Sequence, residues 1–408
     1  MNIAILLDNT ARRVPHALAV STHHSPPAPA DDPRAVRWNY HDFARRAAGT
    51  ASWLLDQPGV MPGERVALAM GNEPGFLQVL FGCWIAGLCV VPMNAKLHAR
   101  EFAALLADAD ARLCLASREQ HAALRALDGE DSAAGRSVPG DCALWHADAA
   151  LLDEQAAMPA APLADVEADD PAWLFYTSGT TGRSKGAMLS HRNLMFMTQA
   201  YYADIDRLDT DDTIVHAAPL SHGSGLYALP HIARGSHNLI VDHFSCDAIF
   251  EAIALYPNVS FFAAPTMLVR LINDDRTASD PRSLLTQLKT VIYGGAPMYV
   301  TDLRRALECF GPRLYQLYGQ GESPMTITGL DKRHHAALMA GGTEALPPDR
   351  VEALLGSCGY PRTGVQVRIL DEDGEPLPAG QIGEVATRSD ARMLGYWRRP
   401  AASEAALR

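Results

Sequence analysis

The stretch from Arg65 to Val91 constrains the fold of this 408-residue chain more than any other. Arg65–Met70 (RVALAM) and Leu88–Val91 (LCVV) are continuous apolar runs, which predict strands buried on both faces. The segment between them, Glu73–Gly87, predicts a helix. Its large apolar residues recur at helical spacing: Leu77, Leu80, Phe81 and Trp84. The order strand, helix, strand predicts a βαβ unit and therefore a parallel sheet covered by helices.

The same alternation continues through the middle of the chain. Six further apolar segments predict strands: Trp173–Tyr176, Thr213–His216, Asn238–Val241, Val259–Phe262, Thr290–Tyr293 and Arg313–Leu317. Helical patterns such as Asp247–Tyr256 and Pro265–Ile272 lie between these strands. The whole pattern predicts a doubly wound α/β fold, with mostly parallel sheets and flanking helices.

The flanking regions have a different character. Ser21–Arg34 predicts a proline-rich surface loop between two short strands, and Ala123–Asp165 predicts helix and loop. After Leu330, Gly364–Leu370 and Gln381–Arg388 predict strands joined by a turn at 371–374. We therefore predict two related α/β subdomains, 1–170 and 171–330, followed by a small β-rich subdomain, 331–408.

Composition excludes several classes of protein. Apolar residues make up 48% and charged residues 20%, as in an ordinary globular protein. The net charge of −12 disfavours nucleic-acid binding, because acidic surfaces repel phosphate backbones. The longest apolar run, Val79–Val91, is shorter than the ~20 residues that a membrane-spanning helix needs. Seven cysteines without a Cys-x-x-Cys pair, and the lack of a signal-like N-terminus, predict free thiols and a cytoplasmic location.

The segment Tyr176–His191 (YTSGTTGRSKGAMLSH) carries the clearest functional signal. It follows an apolar strand, precedes a helical pattern, and combines glycines, hydroxyl side chains and Lys185. Glycines allow several backbone N–H groups to point into one concavity, and the hydroxyl and ammonium groups add further donors for an anion. The sequence therefore predicts a phosphate-binding loop rather than an ordinary surface loop.

Two other motifs resemble this loop only partly. The Walker A pattern requires four residues between its first glycine and its Gly-Lys pair, a spacing that Gly182 and Lys185 do not have. Gly182–Gly186 does match the Gly-x-Ser-x-Gly pattern of serine hydrolases, with Ser184 as the nucleophile. That motif needs a sharp strand-to-helix turn, but the predicted strand ends too early, near Tyr176. A serine hydrolase is kept as a remote alternative.

The loop closely resembles the signature loop of the adenylate-forming superfamily, which includes acyl-CoA synthetases, luciferases and the adenylation domains of peptide synthetases. Five further segments are similar to family motifs and occur in the family's order: Pro219–Gly223 (PLSHG), Tyr293–Pro297 (YGGAP), Tyr318–Glu322 (YGQGE), Ser357–Pro361 and Gly383–Trp397. The resemblance implies that a carboxylic acid reacts with ATP to give an acyl-adenylate and pyrophosphate. The acyl group then passes to a thiol.

The resemblance also implies a role for each matching residue. The ATP phosphates would be held by Thr177, Ser178, Gly179, Thr180, Thr181, Gly182 and Lys185. The adenine end would be bound by Gly295, Ala296, Pro297, Tyr318, Gly319, Gln320 and Gly321. Magnesium would bind Glu322, and the acid would lie beside His222, Gly223, Ser224 and Gly294. Lys185, His222 and Glu322 would be the catalytic groups. The residues themselves also allow a solvated Glu322, a core Tyr318 and a histidine without a catalytic role.

Two departures from the family pattern bear on activity and substrate. Gly321 stands where the family usually has threonine, which removes a hydroxyl expected at the α-phosphate unless water or a neighbouring donor replaces it. If Gly321 has a positive φ angle, threonine there would be strained. Ser221 replaces an aromatic residue, which suggests a wide acyl pocket. The segment SHGSG at 221–225 lacks the aspartate that pairs with an amino group, which favours a non-amino acid and CoA as second substrate.

The chain also stops earlier than the family pattern. Members of the family continue to a ribose-binding Thr-Gly-Asp motif and a small C-terminal domain with a lysine, whereas this sequence ends at Arg408. The resemblance therefore implies the large N-terminal domain alone. We expect ATP or acid binding, slow adenylation at best and essentially no acyl-CoA formation by this segment. The main alternative is a binding domain for ATP or a carboxylate without useful catalysis.

Overall fold

The computed structural model describes residues 1–24, 35–127, 138–177, 184–279, 285–339 and 347–407. Within these ranges the strands are β1 (Leu18–His23), β2 (Arg37–Asn39), β3 (Arg65–Ala69), β4 (Cys89–Pro92), β5 (Ala111–Ala116), β6 (Ala143–His146), β7 (Pro171–Thr177), β8 (Lys185–Ser190), β9 (Thr213–His216), β10 (His237–Val241), β11 (Val259–Ala263), β12 (Leu288–Tyr293), β13 (Leu314–Gln320), β14 (Ser323–Leu330), β15 (Tyr360–Pro361), β16 (Gln366–Leu370) and β17 (Glu384–Arg388).

The helices in the same ranges are α1 (Ile5–Arg13), α2 (Tyr40–Leu55), α3 (Pro74–Ile85), α4 (Ala99–Ala109), α5 (Arg118–Ala126), α6 (Ala149–Ala157), α7 (His191–Asp204), α8 (Gly223–Leu226), α9 (Ala228–Arg234), α10 (Cys246–Leu255), α11 (Pro265–Ile272), α12 (Asp275–Ser279), α13 (Val300–Phe310), α14 (Lys332–Met339), α15 (Pro348–Leu355) and α16 (Pro400–Ala406). None of them is both long and apolar enough to cross a membrane.

The smaller of two large sheets contains the predicted βαβ unit. Its strand order is β6-β5-β3-β4-β7-β8, and every pair is parallel except the β7–β8 hairpin. All residues of β3 and β4 are buried, as continuous apolar strands require when helices cover both faces. Helix α3 is buried along its whole length, and Trp84 donates its indole N–H to the carbonyl of Ala172 at 2.9 Å. This bond satisfies a buried polar group and ties α3 to β7.

The larger sheet has nine strands in the order β15-β14-β13-β12-β11-β9-β10-β1-β2. Neighbours from β13 to β1 are parallel, whereas β14, β15 and β2 add antiparallel pairs at the two edges. A separate antiparallel hairpin, β16–β17, confirms the β-rich segment near the C-terminus. These sheets confirm the predicted α/β fold with mostly parallel sheets and flanking helices.

Several local predictions need correction. The segment after the glycine-rich loop enters β8 before helix α7 begins, so the loop joins two strands of a hairpin. Strand β6 lies inside Ala123–Asp165, where only helix and loop were expected. Strand β1 continues to His23 into the predicted surface loop, and residues 25–34 of that loop lie outside the described residues.

Sheet membership does not follow the order of the chain. Strands β1 and β2 join the larger sheet, and β7 and β8 join the smaller one. The division into units at residues 170 and 330 remains a prediction. All seven cysteines are free thiols, and four of them are buried: Cys83, Cys89, Cys114 and Cys142.

Candidate active site

The β7–β8 hairpin fixes both ends of the predicted phosphate loop. Thr177, the last residue of β7, is paired in register with Lys185, the first residue of β8. The hydroxyl of Thr177 and the ammonium of Lys185 therefore start from neighbouring points at the end of the sheet. Five further residues of the predicted phosphate site lie outside the described residues: Ser178, Gly179, Thr180, Thr181 and Gly182. Their roles remain predictions.

The hairpin also lacks the strand-to-helix turn that a serine hydrolase needs at its nucleophile. Ser184 is followed directly by strand β8, not by a helix. A nucleophile elbow needs a sharp turn from a strand into a helix so that the serine hydroxyl is exposed above the sheet. The remote alternative based on Ser184 is therefore wrong.

Glu322 lies beside the hairpin, on the turn between β13 and β14. Its Oε1 accepts a hydrogen bond from the hydroxyl of Tyr396 at 2.7 Å and a long one from the hydroxyl of Thr177 at 3.4 Å. Glu322 is half-buried, so its carboxylate is neither a solvated loop group nor sealed in the core. Three segments that are far apart in the sequence thus meet at one carboxylate.

Tyr396 also lies in this site, although the sequence assigned it no role. The Gly395–Trp397 segment lies along β8, with Met188 N donating to Gly395 O at 2.9 Å and Trp397 N donating to Gly186 O at 2.8 Å. This backbone pairing places the Lys185 ammonium 5.0 Å from the centre of the Tyr396 ring. Burial, reinforced by the bond to Glu322, raises the pKa of Tyr396, so the phenol stays protonated and donates at neutral pH.

The predicted adenine site is a cavity of about 410 Å³ at the ends of β12 and β13. It is lined by five of the seven residues predicted for adenine, namely Gly295, Ala296, Pro297, Tyr318 and Gly319, whereas Gln320 and Gly321 do not belong to its lining. Gly295 has a φ of +82°, a conformation that glycine adopts without steric cost. The Tyr318 hydroxyl accepts a bond from the exposed Gln320 amide at 2.9 Å. Tyr318 is therefore part of a cavity wall and not a core aromatic.

The same cavity includes residues that the motif assignments left out. Gln316, Ser357 and Cys358 contribute to its lining. Ser357 and Cys358 belong to a segment whose similarity to the family was recognised without a role for any residue. Gly294 was expected beside the acid but lines this cavity.

His222 lies where the two large sheets approach each other. Its ring meets Phe175 of β7 edge-on, with centroids 5.5 Å apart, and its Nδ1 lies 2.9 Å from the Ser221 hydroxyl. Burial lowers the pKa of His222, which favours the neutral ring at pH 7. With Tyr176 and Ser184, His222 also lines a second cavity of about 640 Å³.

The remaining residues of the predicted acid pocket divide into two groups. A Cβ atom on Gly223 would lie 3.4 Å from the Met325 thioether and 3.7 Å from the Phe262 ring, so Gly223 faces an apolar surface. Ser224 is buried, and its hydroxyl lies 2.9 Å from Nδ1 of His216, which is itself buried. Met325 has a φ of +60°, an uncommon conformation for a non-glycine residue that is often found at functional sites.

Asn72 holds the turn that carries His222. Asn72 lies three residues after β3, and its amide nitrogen lies within 3.2 Å of the carbonyl oxygens of His216, Ala218 and Val241. Its Oδ1 accepts the backbone N–H of Leu220 at 2.9 Å. One side chain of the smaller sheet thus fixes the strand ends of the larger sheet. Nothing in the composition of the MGNEP segment indicated this role.

Replacing Asn72 by alanine is expected to lower the free energy of unfolding by about 1–3 kcal/mol, because buried backbone groups lose their partners. Chemical denaturation measures the change. Asn273→Ala, which removes an exposed amide bonded to the Val269 carbonyl and to the exposed Arg305 guanidinium, is the control and should change stability by less than about 0.5 kcal/mol. Equal stability losses in the two variants would contradict the proposed role of Asn72 as a clamp, meaning the set of hydrogen bonds from its side chain to His216, Ala218, Val241 and Leu220.

Gly321 is explained by packing and not by its backbone angle. Its φ angle is not positive, so the hypothesis that threonine would strain the backbone here is wrong. A Cβ atom at this buried position would lie 2.4 Å from the Thr177 methyl group and 2.7 Å from the Phe175 ring. These two side chains occupy the space where the usual threonine would stand, so a hydroxyl at residue 321 cannot be restored without displacing them.

Gly321→Thr is therefore expected to destabilise the protein by about 1–3 kcal/mol through overpacking, without raising the adenylation rate. Thermal unfolding and pyrophosphate exchange measure the two effects. Gly140, which is exposed and has open space around it, provides the control, since Gly140→Ala should leave the melting temperature unchanged or slightly higher. A Gly321→Thr variant of native stability and faster exchange would contradict this account.

Comparison with known proteins agrees with this geometry. The family model described as "AMP-binding enzyme" matches residues 7–397. The chain therefore belongs to the AMP-binding enzyme family, and it corresponds to the N-terminal domain of adenylate-forming enzymes.

Individual relatives narrow the class further. A feruloyl-CoA synthase from an Amycolatopsis species is 33% identical over 400 residues, which cover 98% of this chain and 72% of the relative. ATP-bound MatB from Rhodopseudomonas palustris superposes with a TM-score of 0.80 at 25% identity, over 100% of this chain and 74% of that one. The N-terminal domain of FACL13 from Mycobacterium tuberculosis shares the fold, with a TM-score of 0.82 at 24% identity over 100% and 94% of the two chains. The prediction of an AMP-forming acyl-CoA ligase is confirmed at the level of family and reaction class.

Proposed function

We propose that this chain activates an aromatic carboxylic acid with magnesium and ATP, for transfer to CoA. In the first step a carboxylate oxygen attacks the α-phosphorus, the bond to the β-phosphate breaks, and pyrophosphate leaves. In the second step the CoA sulfur attacks the acyl carbon and AMP leaves. The observation that carries the proposal is that Lys185 and Glu322 both adjoin Thr177 at the strand ends, close in the chain to Tyr318 and Gly319 of the predicted adenine cavity.

The charges of these groups suit the first step. Attack of a carboxylate on a triphosphate brings two anions together, so cations and hydrogen-bond donors must offset the repulsion. Lys185 would supply a point charge and Thr177 a neutral donor to the β- and γ-phosphates. The glycine-rich residues between them would supply backbone N–H groups.

Magnesium fits this donor set through Glu322 alone. Among the described residues, no group of three or more His, Cys, Asp or Glu side chains could enclose a metal ion. Mg²⁺ usually binds one or two carboxylates together with substrate phosphates and water, so a single carboxylate beside the phosphate loop meets its needs. When bound, the ion would neutralise phosphate charge. Oε1 of Glu322 is held by Tyr396, and its other oxygen has no hydrogen-bond partner among the residues that the structure describes, which leaves it to the ion.

The surface around Gly223 supports an aromatic acid. The Phe262 ring lies 3.7 Å from the Cβ position of Gly223 and 3.9 Å from that of Gly295, and the Met325 thioether lies 3.4 Å from the Cβ position of Gly223. Side-chain-free glycines against an aromatic ring favour a flat apolar group, and thioether–aromatic contacts are favourable. The absence of aspartate from 221–225 disfavours an amino acid. A relative that forms feruloyl-CoA is consistent with this choice.

His222 would separate the acid from the thiol. It lines the 640 Å³ cavity, which offers a route for the pantetheine arm of CoA, and its neutral ring can donate or accept a hydrogen bond without adding charge. The cytoplasmic location remains a prediction.

The test of this function is pyrophosphate exchange into ATP with a panel of aromatic, alicyclic and fatty acids. We expect exchange to depend on the acid and to be fastest with hydroxycinnamic acids. Faster exchange with fatty acids would retain the ligase but overturn the aromatic assignment. Binding of ATP and acid without exchange would favour the alternative of a non-catalytic binding domain.

A further inference from the structure

Tyr396 contacts the two oppositely charged groups of the proposed ATP site at once. The Lys185 ammonium lies 5.0 Å from the centre of its ring, and its hydroxyl donates to Glu322 Oε1 at 2.7 Å. Lys185 and Glu322 form no ion pair with each other, nor does either form one with another described residue. The phenol therefore lies between a cation and an anion that share the same half-buried space.

The backbone holds Tyr396 in this place. The Gly395–Trp397 segment pairs with β8, the strand that begins with Lys185. The backbone N–H of Met393 donates to the carbonyl oxygen of Glu322 at 2.7 Å. The Tyr396 amide is also bonded to the Ser403 hydroxyl at 2.8 Å. The ring thus has fixed attachments to both charged residues, whereas their own side chains are long and rotatable.

We propose that Tyr396 is a positioning residue that keeps Lys185 and Glu322 apart, so that both charges are available when ATP arrives. The proposal rests on the proposed function, because it assigns Lys185 to the phosphates and Glu322 to the metal. The face of the ring attracts the ammonium by a cation–π contact, and the hydroxyl satisfies one carboxylate oxygen. Without the ring, the two side chains would pair directly, and that pair would have to break before ATP binds.

A double-mutant cycle on ATP binding without metal tests this role and does not depend on turnover. Calorimetry in excess EDTA would compare the native chain with Tyr396→Phe, Tyr396→Leu, Glu322→Gln and the double variant Tyr396→Leu/Glu322→Gln. We expect Tyr396→Leu to weaken ATP binding by about tenfold, because Lys185 becomes engaged by Glu322. Tyr396→Phe keeps the ring and should stay within about twofold of the native chain.

The cycle separates this role from a general structural one. In the Glu322→Gln background no anion competes for Lys185, so adding Tyr396→Leu should change ATP affinity by less than about twofold. Equal weakening in both backgrounds, or native affinity in Tyr396→Leu, would overturn the proposal. Tyr299→Leu, a substitution at a tyrosine that is 81% exposed, is the control for loss of a ring elsewhere.

Two further results are informative. If Tyr396→Leu does not fold, as judged by circular dichroism, Tyr396→Met replaces it, because an unbranched side chain fills irregular space while removing the ring. If the native chain binds no ATP at all, the proposed function fails and this inference with it. ATP binding by the native chain with no coupling between Tyr396 and Glu322 would refute only the role of Tyr396.

Discussion

Glu322→Gln is expected to slow acid-dependent pyrophosphate exchange by about 10²–10³-fold, the usual effect of removing one preorganised electrostatic group from an active site. Glutamine has the same shape and can still accept the Tyr396 hydroxyl bond, so the local structure should persist. The variant loses the negative charge that Mg²⁺ needs from the protein. The exchange assay at saturating ATP and acid measures the effect.

The control for this variant is Glu119→Gln, which makes the same chemical change at an exposed position on α5. It should exchange pyrophosphate at the native rate. Raising the magnesium concentration should recover part of the Glu322→Gln activity if the loss is one of metal affinity. A Glu322→Gln rate within twofold of native would remove Glu322 from the proposed mechanism.

Lys185→Ala is expected to weaken binding of ATP with magnesium by about 1.5–3 kcal/mol, or one to two decades in Kd, because a charge-assisted contact to phosphate is lost. The ammonium has no ion-pair partner among the described residues, so its charge is available to the ligand. Its contact with the Tyr396 ring is weak and competes little with binding of the ATP phosphates. Isothermal calorimetry measures the affinity directly.

Lys96→Ala is the matched control, since Lys96 is exposed on the loop after β4. Its effect on ATP affinity should be small and should vanish in high salt, as expected for a screened surface charge. An unchanged Kd in Lys185→Ala would place the ATP phosphates elsewhere.

The parts of the fold that the sequence predicted are those with continuous apolar runs. Strands β3, β4 and β11 and helix α11 lie where hydrophobic periodicity places them, since burial on both faces leaves an unambiguous pattern. Strand β8 was missed because it begins with Lys-Gly and shows neither a continuous apolar run nor alternation. Its pairing with β7 across the glycine-rich loop depends on tertiary structure, which local strand propensity does not predict.

In the candidate site, motif similarity located individual residues but not the contacts between distant segments. Motif similarity located Gly295, Pro297 and Tyr318 in one cavity, because each lies in a segment with a recognisable pattern. It did not locate the contact between Tyr396 and Glu322, residues separated by 74 positions, or the clamp between Asn72 and Leu220, separated by 148. Such pairs depend on how strands of different segments come together.

Gly321 illustrates why a departure from a motif needs a structure. The sequence alone offered a missing hydroxyl or a positive φ angle as explanations. The structure shows instead that Thr177 and Phe175 fill the space beside the Cα atom. Side chains contributed by strand β7 thus fill the space in which a larger residue at position 321 would stand.

Detection of the acyl-adenylate tests the central claim most directly. The 408-residue chain, at concentrations comparable with those of ATP and acid, would be incubated with magnesium, ATP and ferulic acid, and the products analysed by mass spectrometry. We predict an adenylate whose mass equals AMP plus the acid minus water, formed slowly by the native chain and absent with Glu322→Gln. Calorimetric binding of both ATP and acid, with no adenylate after prolonged incubation, would contradict the claim and leave a binding domain without catalysis.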